Sequence, residues 1–85
     1  MKKRIGSVAI VVKKREKVSN QINKILSKNA DCIIGRMGIP SAEHGLSMIS
    51  LIVEGTSDEI GAITGQLGSL PGVNLKSALT SVEVE

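Results

Sequence analysis

The stretch from Thr56 to Lys76, TSDEIGAITGQLGSLPGVNLK, constrains this chain most, because it spells a helix, a tight turn and a returning strand without interruption. Thr56 followed three residues later by Glu59 is a capping box, in which hydroxyl and carboxylate satisfy free backbone donors at a helix start. Asp58 and Glu59 suit the positive end of the helix dipole. Ile60, Ile63, Thr64, Leu67 and Leu70 recur at helical spacing and define a buried stripe. Pro71-Gly72 stops the helix, and Val73 and Leu75 alternate with Asn74 and Lys76 to begin a strand. Gly61, Gly65 and Gly68 are costly here, since an interior glycine is roughly 1 kcal/mol worse than alanine in a helix. Their spacing puts them on one face, and two explanations follow: tight packing against another element, or a ligand lying on the bare surface.

The rest of the chain reads as the partner half of the same unit. Ile5 to Val12 is a strand with Val8, Ile10 and Val12 on one side and Ser7, Ala9 and Val11 on the other, and neither side is polar. Between about Arg15 and Ala30, Val18, Ile22, Ile25 and Leu26 form the apolar stripe of an amphipathic helix whose outer surface carries Lys17, Lys24 and Lys28. Asp31 to Pro40 reads as a second strand, with Ile33, Met37 and Ile39 on one side and Cys32, Ile34 and Arg36 on the other. Ser41 to Gly45 bends the chain, and Leu46 to Glu54 returns as a third strand. In the last strand, Val73 to Val84, the apolar parity shifts between Leu79 and Val82, which implies a bulge or an end that leaves the sheet.

Strand, helix, strand, strand, helix, strand is the order of an α+β, ferredoxin-like βαββαβ sandwich. Right-handed crossovers put both helices on one face of a four-stranded antiparallel sheet, with the first and third strands central. The 85 residues, 41% of them apolar, suffice for one domain spanning 1–85. With no Phe, Tyr or Trp, its core is aliphatic and modest, which makes burial by self-association attractive. The sheet face away from the helices is expected to carry Ala9, Val11, Ile34, Met48 and Ile52 with Cys32 and Ser50, too apolar for a face left in water. A second copy covers it, or sheets join edge to edge between subunits; the pattern allows both, as homodimer or homotetramer.

No arrangement of an active site is visible, and no catalytic role is assigned to any residue. The chain has one histidine, His44, and one cysteine, Cys32, with no phosphate-binding GxxxxGK[ST] loop, GxSxG elbow or CxxC. Cys32 and His44 fall at opposite ends of one strand, so no intrachain metal site or cofactor is expected. A single cysteine fits a reducing cytoplasm, and no run approaches the ~20 apolar residues that span a bilayer. Charge is uneven. Nine of the 11 Lys and Arg lie at or before Lys28, against one acid, Glu16. Nucleic acid is the partner that such a basic third suggests, but ferredoxin-like sheets that bind RNA stack bases on aromatic residues, and here there are none. Lys13 and Lys14, placed where positive charge opposes a helix dipole, suggest an anion site. Arg36, a cation in an apolar strand, is expected to project toward the open sheet face and to want a carboxylate, phosphate or carbonyl partner.

The run Asp58-Glu59-Ile60-Gly61 through Gly65-Gln66-Leu67-Gly68 to Gly72-Val73, with Arg36-Met37-Gly38-Ile39-Pro40 and Arg15-Glu16-Lys17, resembles the small stand-alone proteins named as iron-only hydrogenase system regulators. The glycine-spaced helix is the most specific part of the likeness, which extends over essentially the whole chain. That family is similar in fold to ACT domains and to the effector-binding domain of the nickel-responsive repressor, which bind small effectors at subunit interfaces. The resemblance implies a non-enzymatic regulatory or sensing module in an oligomer, connected with an iron-only hydrogenase system. A small effector would then sit near Lys13, Lys14, Arg36, Gly61 or Gly65. Two alternatives from other classes are a nucleic-acid-associated protein and a protein-binding adaptor that takes no small ligand.

Overall fold

Two helices cover one side of a four-stranded antiparallel sheet that has the first and third strands in its centre and the second and fourth at its edges. In chain order the elements are β1 (Lys3–Val12), α1 (Arg15–Lys28), a 3-10 turn (Ala30–Cys32), β2 (Ile33–Ser41), β3 (Leu46–Gly55), α2 (Ser57–Gly68) and β4 (Val73–Val84). The computed structural model describes residues 2–13, 15–41 and 43–85, with the side chains of 15–17 excepted. The ferredoxin-like arrangement with β1 and β3 in the centre is as the sequence predicts.

The core forms where the helical stripes meet the inner face of the central strands. Val8, Ile10 and Val12 of β1 and Leu51 and Val53 of β3 are at most 1% exposed. Onto them pack Val18, Ile22 and Leu26 from α1 and Ile60, Ile63 and Leu67 from α2. Every member is aliphatic apart from Cys32, so side-chain shape and area removed from water hold the layers together. The capping box forms in full: Thr56 Oγ1 accepts from the Glu59 N–H at 3.1 Å, and the Thr56 N–H donates to Glu59 Oε1 at 2.9 Å. Gly72 closes the following turn at φ 79, a conformation that side chains with a Cβ rarely adopt.

Both edge strands carry irregularities, and only one shows in the sequence pattern. In β4 the pairing with β1 passes from Gly6↔Leu79 to Arg4↔Glu83, so Thr80, Ser81 and Val82 lie opposite Ile5 alone. This is the parity shift anticipated between Leu79 and Val82. Thr80 Oγ1 fastens it by donating to the Ile5 carbonyl at 2.6 Å. Gly6 is required there, because a Cβ at that position would stand 2.5 Å from the Ala78 carbonyl oxygen.

The second irregularity corrects the reading of β2. Asp31 and Cys32 belong to the 3-10 turn, and α1 ends at Lys28 and not at Ala30. The pairing with β3 then steps from Ile33↔Val53 to Gly35↔Ile52, leaving Ile34 as an extra residue. One inserted residue exchanges the two sides of everything beyond it. Arg36 therefore lies opposite Leu51 on the helix side, while Met37 and Ile39, opposite Ser50 and Met48, emerge on the open face. Cys32, expected on that face, is buried in the core.

Candidate functional site

Two surfaces, set on either side of the β2–β3 ladder, carry the features that could bind something. On the open side, Met37 (61% exposed), Ile39 (50%), Met48 (40%) and Ile52 (44%) stand together. Ala9, Val11 and Ser50 extend this surface across β1, since Ala9 pairs with Ser50 and Val11 with Met48. Toward β4 it becomes polar, with Asn74 opposite Val11 and Lys76 opposite Ala9. Ile34, 59% exposed, sits at the bulge on the margin and lines a shallow hollow with Leu26, Ser27 and Ala30 of the helix layer. Of the anticipated open-face residues, then, Ala9, Val11, Met48, Ser50 and Ile52 are so placed, Ile34 is marginal, and Cys32 is not among them.

On the helix side, β2 and α1 stand apart enough to leave a groove of about 190 Å³. Its apolar part comes from Val12, Ile22 and Ile49, and its polar part from Ser19, Asn23, Ser47 and Arg36. The Arg36 guanidinium, exposed at the rim, donates to Asn23 Oδ1 at 3.2 Å. That bond ties the edge strand to the helix and sets the direction of the planar fork. Gly38 and Pro40 form the β2 wall, and a Cβ added at Gly38 would meet only the Met48 carbonyl oxygen, at 4.0 Å. Ile39 and Met48 contribute both to the groove and to the open face.

The other anticipated ligand residues do not join Arg36. Lys13 is exposed at the far end of β1, where its N–H donates to the Gly72 carbonyl at 2.9 Å. Lys14 lies outside the described residues. Gly61 and Gly65 face outward, and an added Cβ at either would meet nothing within 4 Å. Close packing inside the chain is therefore not their reason; only Gly68 approaches a neighbour, with Leu75 at 4.0 Å. The basic residues are divided as well: Lys2 to Arg4 start β1 and Lys13 follows it, roughly 30 Å away at the usual rise per residue. Lys2 lies 3.9 Å from the Glu83 carboxylate.

Cys32 and Glu59 show what burial and capping do to ionisation. Burial, and then the nearby Glu59 carboxylate, pushes the Cys32 thiol above its ordinary range, so it remains protonated and a poor nucleophile. The Thr56 backbone N–H, and then its hydroxyl, hold the Glu59 carboxyl below its ordinary range. Among the described residues, no group of three or more His, Cys, Asp or Glu could hold a metal ion. No helix among them is long and apolar enough to cross a membrane.

Over residues 4–77 the chain matches the TM1266-like family, described as "Iron-only hydrogenase system regulator, putative". The chain belongs to this family. Among solved structures, the uncharacterized protein TM1266 from Thermotoga maritima is 35% identical and superposes with a TM-score of 0.89, covering 93% of this chain and 99% of that one. The ACT domain from the GTP pyrophosphokinase of Chlorobium tepidum is 20% identical, with a TM-score of 0.71 over 89% of this chain and 99% of its own. More distantly, a nitrogen regulatory PII-like protein from Thiomonas intermedia K12, bound to ADP, AMP and bicarbonate, is 12% identical with a TM-score of 0.55, covering 93% and 92%. The last two likenesses establish the fold, an ACT-like one. No curated protein matches the chain.

In this family member, sequence reasoning singled out Arg36 but missed the residues around it. Asn23, Ser19 and Ser47 are small, uncharged and individually unremarked. The available signal was the run of Ser19, Asn20, Asn23 and Ser27 on α1, a polar strip without charge beside the lysine-bearing surface. Such a strip is suited to facing an edge strand across a narrow solvent gap, where a lysine in place of Asn23 would repel Arg36.

Proposed function

We propose that this single ACT-like domain is a non-enzymatic regulatory module that self-associates through its open sheet face and responds to a small effector. The observation that carries the reading is the uncovered β2–β3 ladder. Met37, Ile39, Met48 and Ile52 cluster on one margin, and a contiguous exposed apolar patch commonly marks an interaction surface. A second copy is the occupant we favour, because a small aliphatic core gains most from burying that surface. The effector site we assign to the groove at Arg36.

The two sites share one element. A ligand in the groove and a copy on the open face press on opposite sides of the same pair of strands, so differential binding at one can shift the other. The family description and the ACT-like fold support a regulatory role connected with iron-only hydrogenase systems. The PII-like neighbour, bound to nucleotides and bicarbonate, supports ligand binding on a related fold. The single, protonated thiol fits a reducing cytoplasm. Division of the basic residues between the two ends of β1 counts against nucleic-acid binding.

Native mass spectrometry of wild type and Ile52→Lys tests this. The reading expects dimers or tetramers in the wild type and monomers in the variant. A wild-type monomer with an unchanged spectrum for Ile52→Lys contradicts it.

A further inference from the structure

We infer that the α1–β2 groove binds a short aliphatic carboxylate whose tail carries no charge. The inference rests on the regulatory reading and adds the ligand's chemical class. Arg36 is the only charged residue lining the groove among those described. A guanidinium has five N–H donors, and the described contacts of Arg36 use one of its nitrogens, which donates to Asn23 Oδ1. Among the described residues no carboxylate is within ion-pair distance of it. The planar fork matches the two oxygens of a carboxylate, and the Asn23 contact holds it at the groove's rim.

Charge and size narrow the class. The one cation of the described lining balances a monoanion; a phosphate ester would want further cations or a cluster of backbone N–H groups. The interior beyond Arg36 is Val12, Ile22 and Ile49, an apolar surface that favours a hydrocarbon tail. A volume of about 190 Å³ is somewhat larger than the cavity of about 150 Å³ that admits benzene, so the tail is a few carbons, branched or compact. The described lining holds no acid to pair with an ammonium group. An ammonium on the second carbon would stand beside the Arg36 guanidinium with no acid of the described lining to offset the repulsion, so a 2-oxo acid or a branched short-chain acid fits better than the corresponding amino acid. Ser19 and Ser47 provide hydroxyls for a neutral oxygen on the second carbon.

Amide-resolved NMR titration of the full chain separates these possibilities. The probes are 4-methyl-2-oxopentanoate, 3-methylbutanoate, leucine and inorganic phosphate, each added to wild type, Arg36→Gln and Gly38→Val. The two carboxylates are expected to give saturable shifts at Asn23, Gly38 and Ser47, with leucine and phosphate weaker by about tenfold or more. Arg36→Gln is expected to weaken carboxylate binding by about tenfold, the equivalent of one charge-assisted hydrogen bond. Gly38→Val, whose side chain enters open space in the groove, is expected to abolish it while leaving the spectrum well dispersed. Undiminished binding by Arg36→Gln, or phosphate or leucine binding as tightly as the carboxylates, overturns the assignment. Silence from both carboxylates in a sample shown by native mass spectrometry to be oligomeric overturns the ligand class and leaves self-association standing. A monomer that still binds 4-methyl-2-oxopentanoate through Arg36 supports the assignment and removes the interfacial part of the regulatory reading.

Discussion

Leu51 and Ile52 are adjacent in β3, both aliphatic and both on a central strand, yet one is fully buried and the other 44% exposed. The contrast extends to the whole sheet. Over the central strands the inner face is covered by α1 and α2, whereas the outer face presents Val11, Met37, Ile39, Met48 and Ile52 with none of the described elements over them. A sheet with one solvated face ordinarily alternates apolar with polar residues. Here the alternation holds near β4, at Asn74 and Lys76, and fails near β2. Near β2, then, the sheet is apolar on both faces, while the described elements cover only the inner one.

Substitutions at neighbouring positions can break this comparison. The largest effect is expected from Leu51→Ala, which leaves a cavity among fully buried neighbours and costs about 2–5 kcal/mol in denaturant unfolding. Ile52→Ala, one residue away, is expected to change monomer stability by about 0.5 kcal/mol or less while weakening self-association. Equal losses at both positions, independent of protein concentration, would show that the outer face is no interface. Met48→Lys is the sharper probe of that face: dissociation without unfolding is expected, read by sedimentation together with circular dichroism.

Next in size is the helix start. Thr56→Ala removes one side of the capping box and is expected to lower stability by about 1 kcal/mol. Glu59 links it to pH. Its folded-state pKa is lowered, so the contribution is present above the unfolded value and is lost as pH falls through the folded one. Glu59→Gln, which removes the titrating group, should therefore flatten the acid limb of the stability profile, whereas Thr56→Ala keeps the backbone N–H that is the larger cause of the shift.

The smallest effect sharpens the comparison on the helix layer. Gly61→Ala and Gly65→Ala meet no neighbour and should each stabilise the fold by about 0.5–1 kcal/mol. If either substitution instead disrupts the oligomer, the outer side of α2 is also an interface, and the asymmetry between covered and uncovered faces is smaller than described.

Much of this was legible in the sequence because local signals and global fold agree. The Thr56–Glu59 pair, the apolar stripe of α2, the Pro71-Gly72 stop and the displaced parity at the end of β4 each have a local cause written in neighbouring residues. The β2 side was not legible. Ile33 and Ile34 are alike in character, so nothing in their pattern marks one of them as the extra residue, and a one-residue insertion sends Arg36 to the opposite side. The 3-10 turn did the same to Cys32, carrying it beneath the sheet. Arg36 could thus be recognised as unusual, while its partner Asn23, 13 residues earlier, could not, because contact across the groove depends on that register. Gly61 and Gly65 were visible as costly, but only their surroundings show that no intrachain packing offsets the cost.

The most direct measurement is the mass of the particle in solution across a dilution series, by light scattering coupled to size exclusion. A second copy on the outer face requires a multiple of 8.9 kDa that falls to the single-chain mass in Ile52→Lys. A wild-type chain that runs at 8.9 kDa at every concentration contradicts the account.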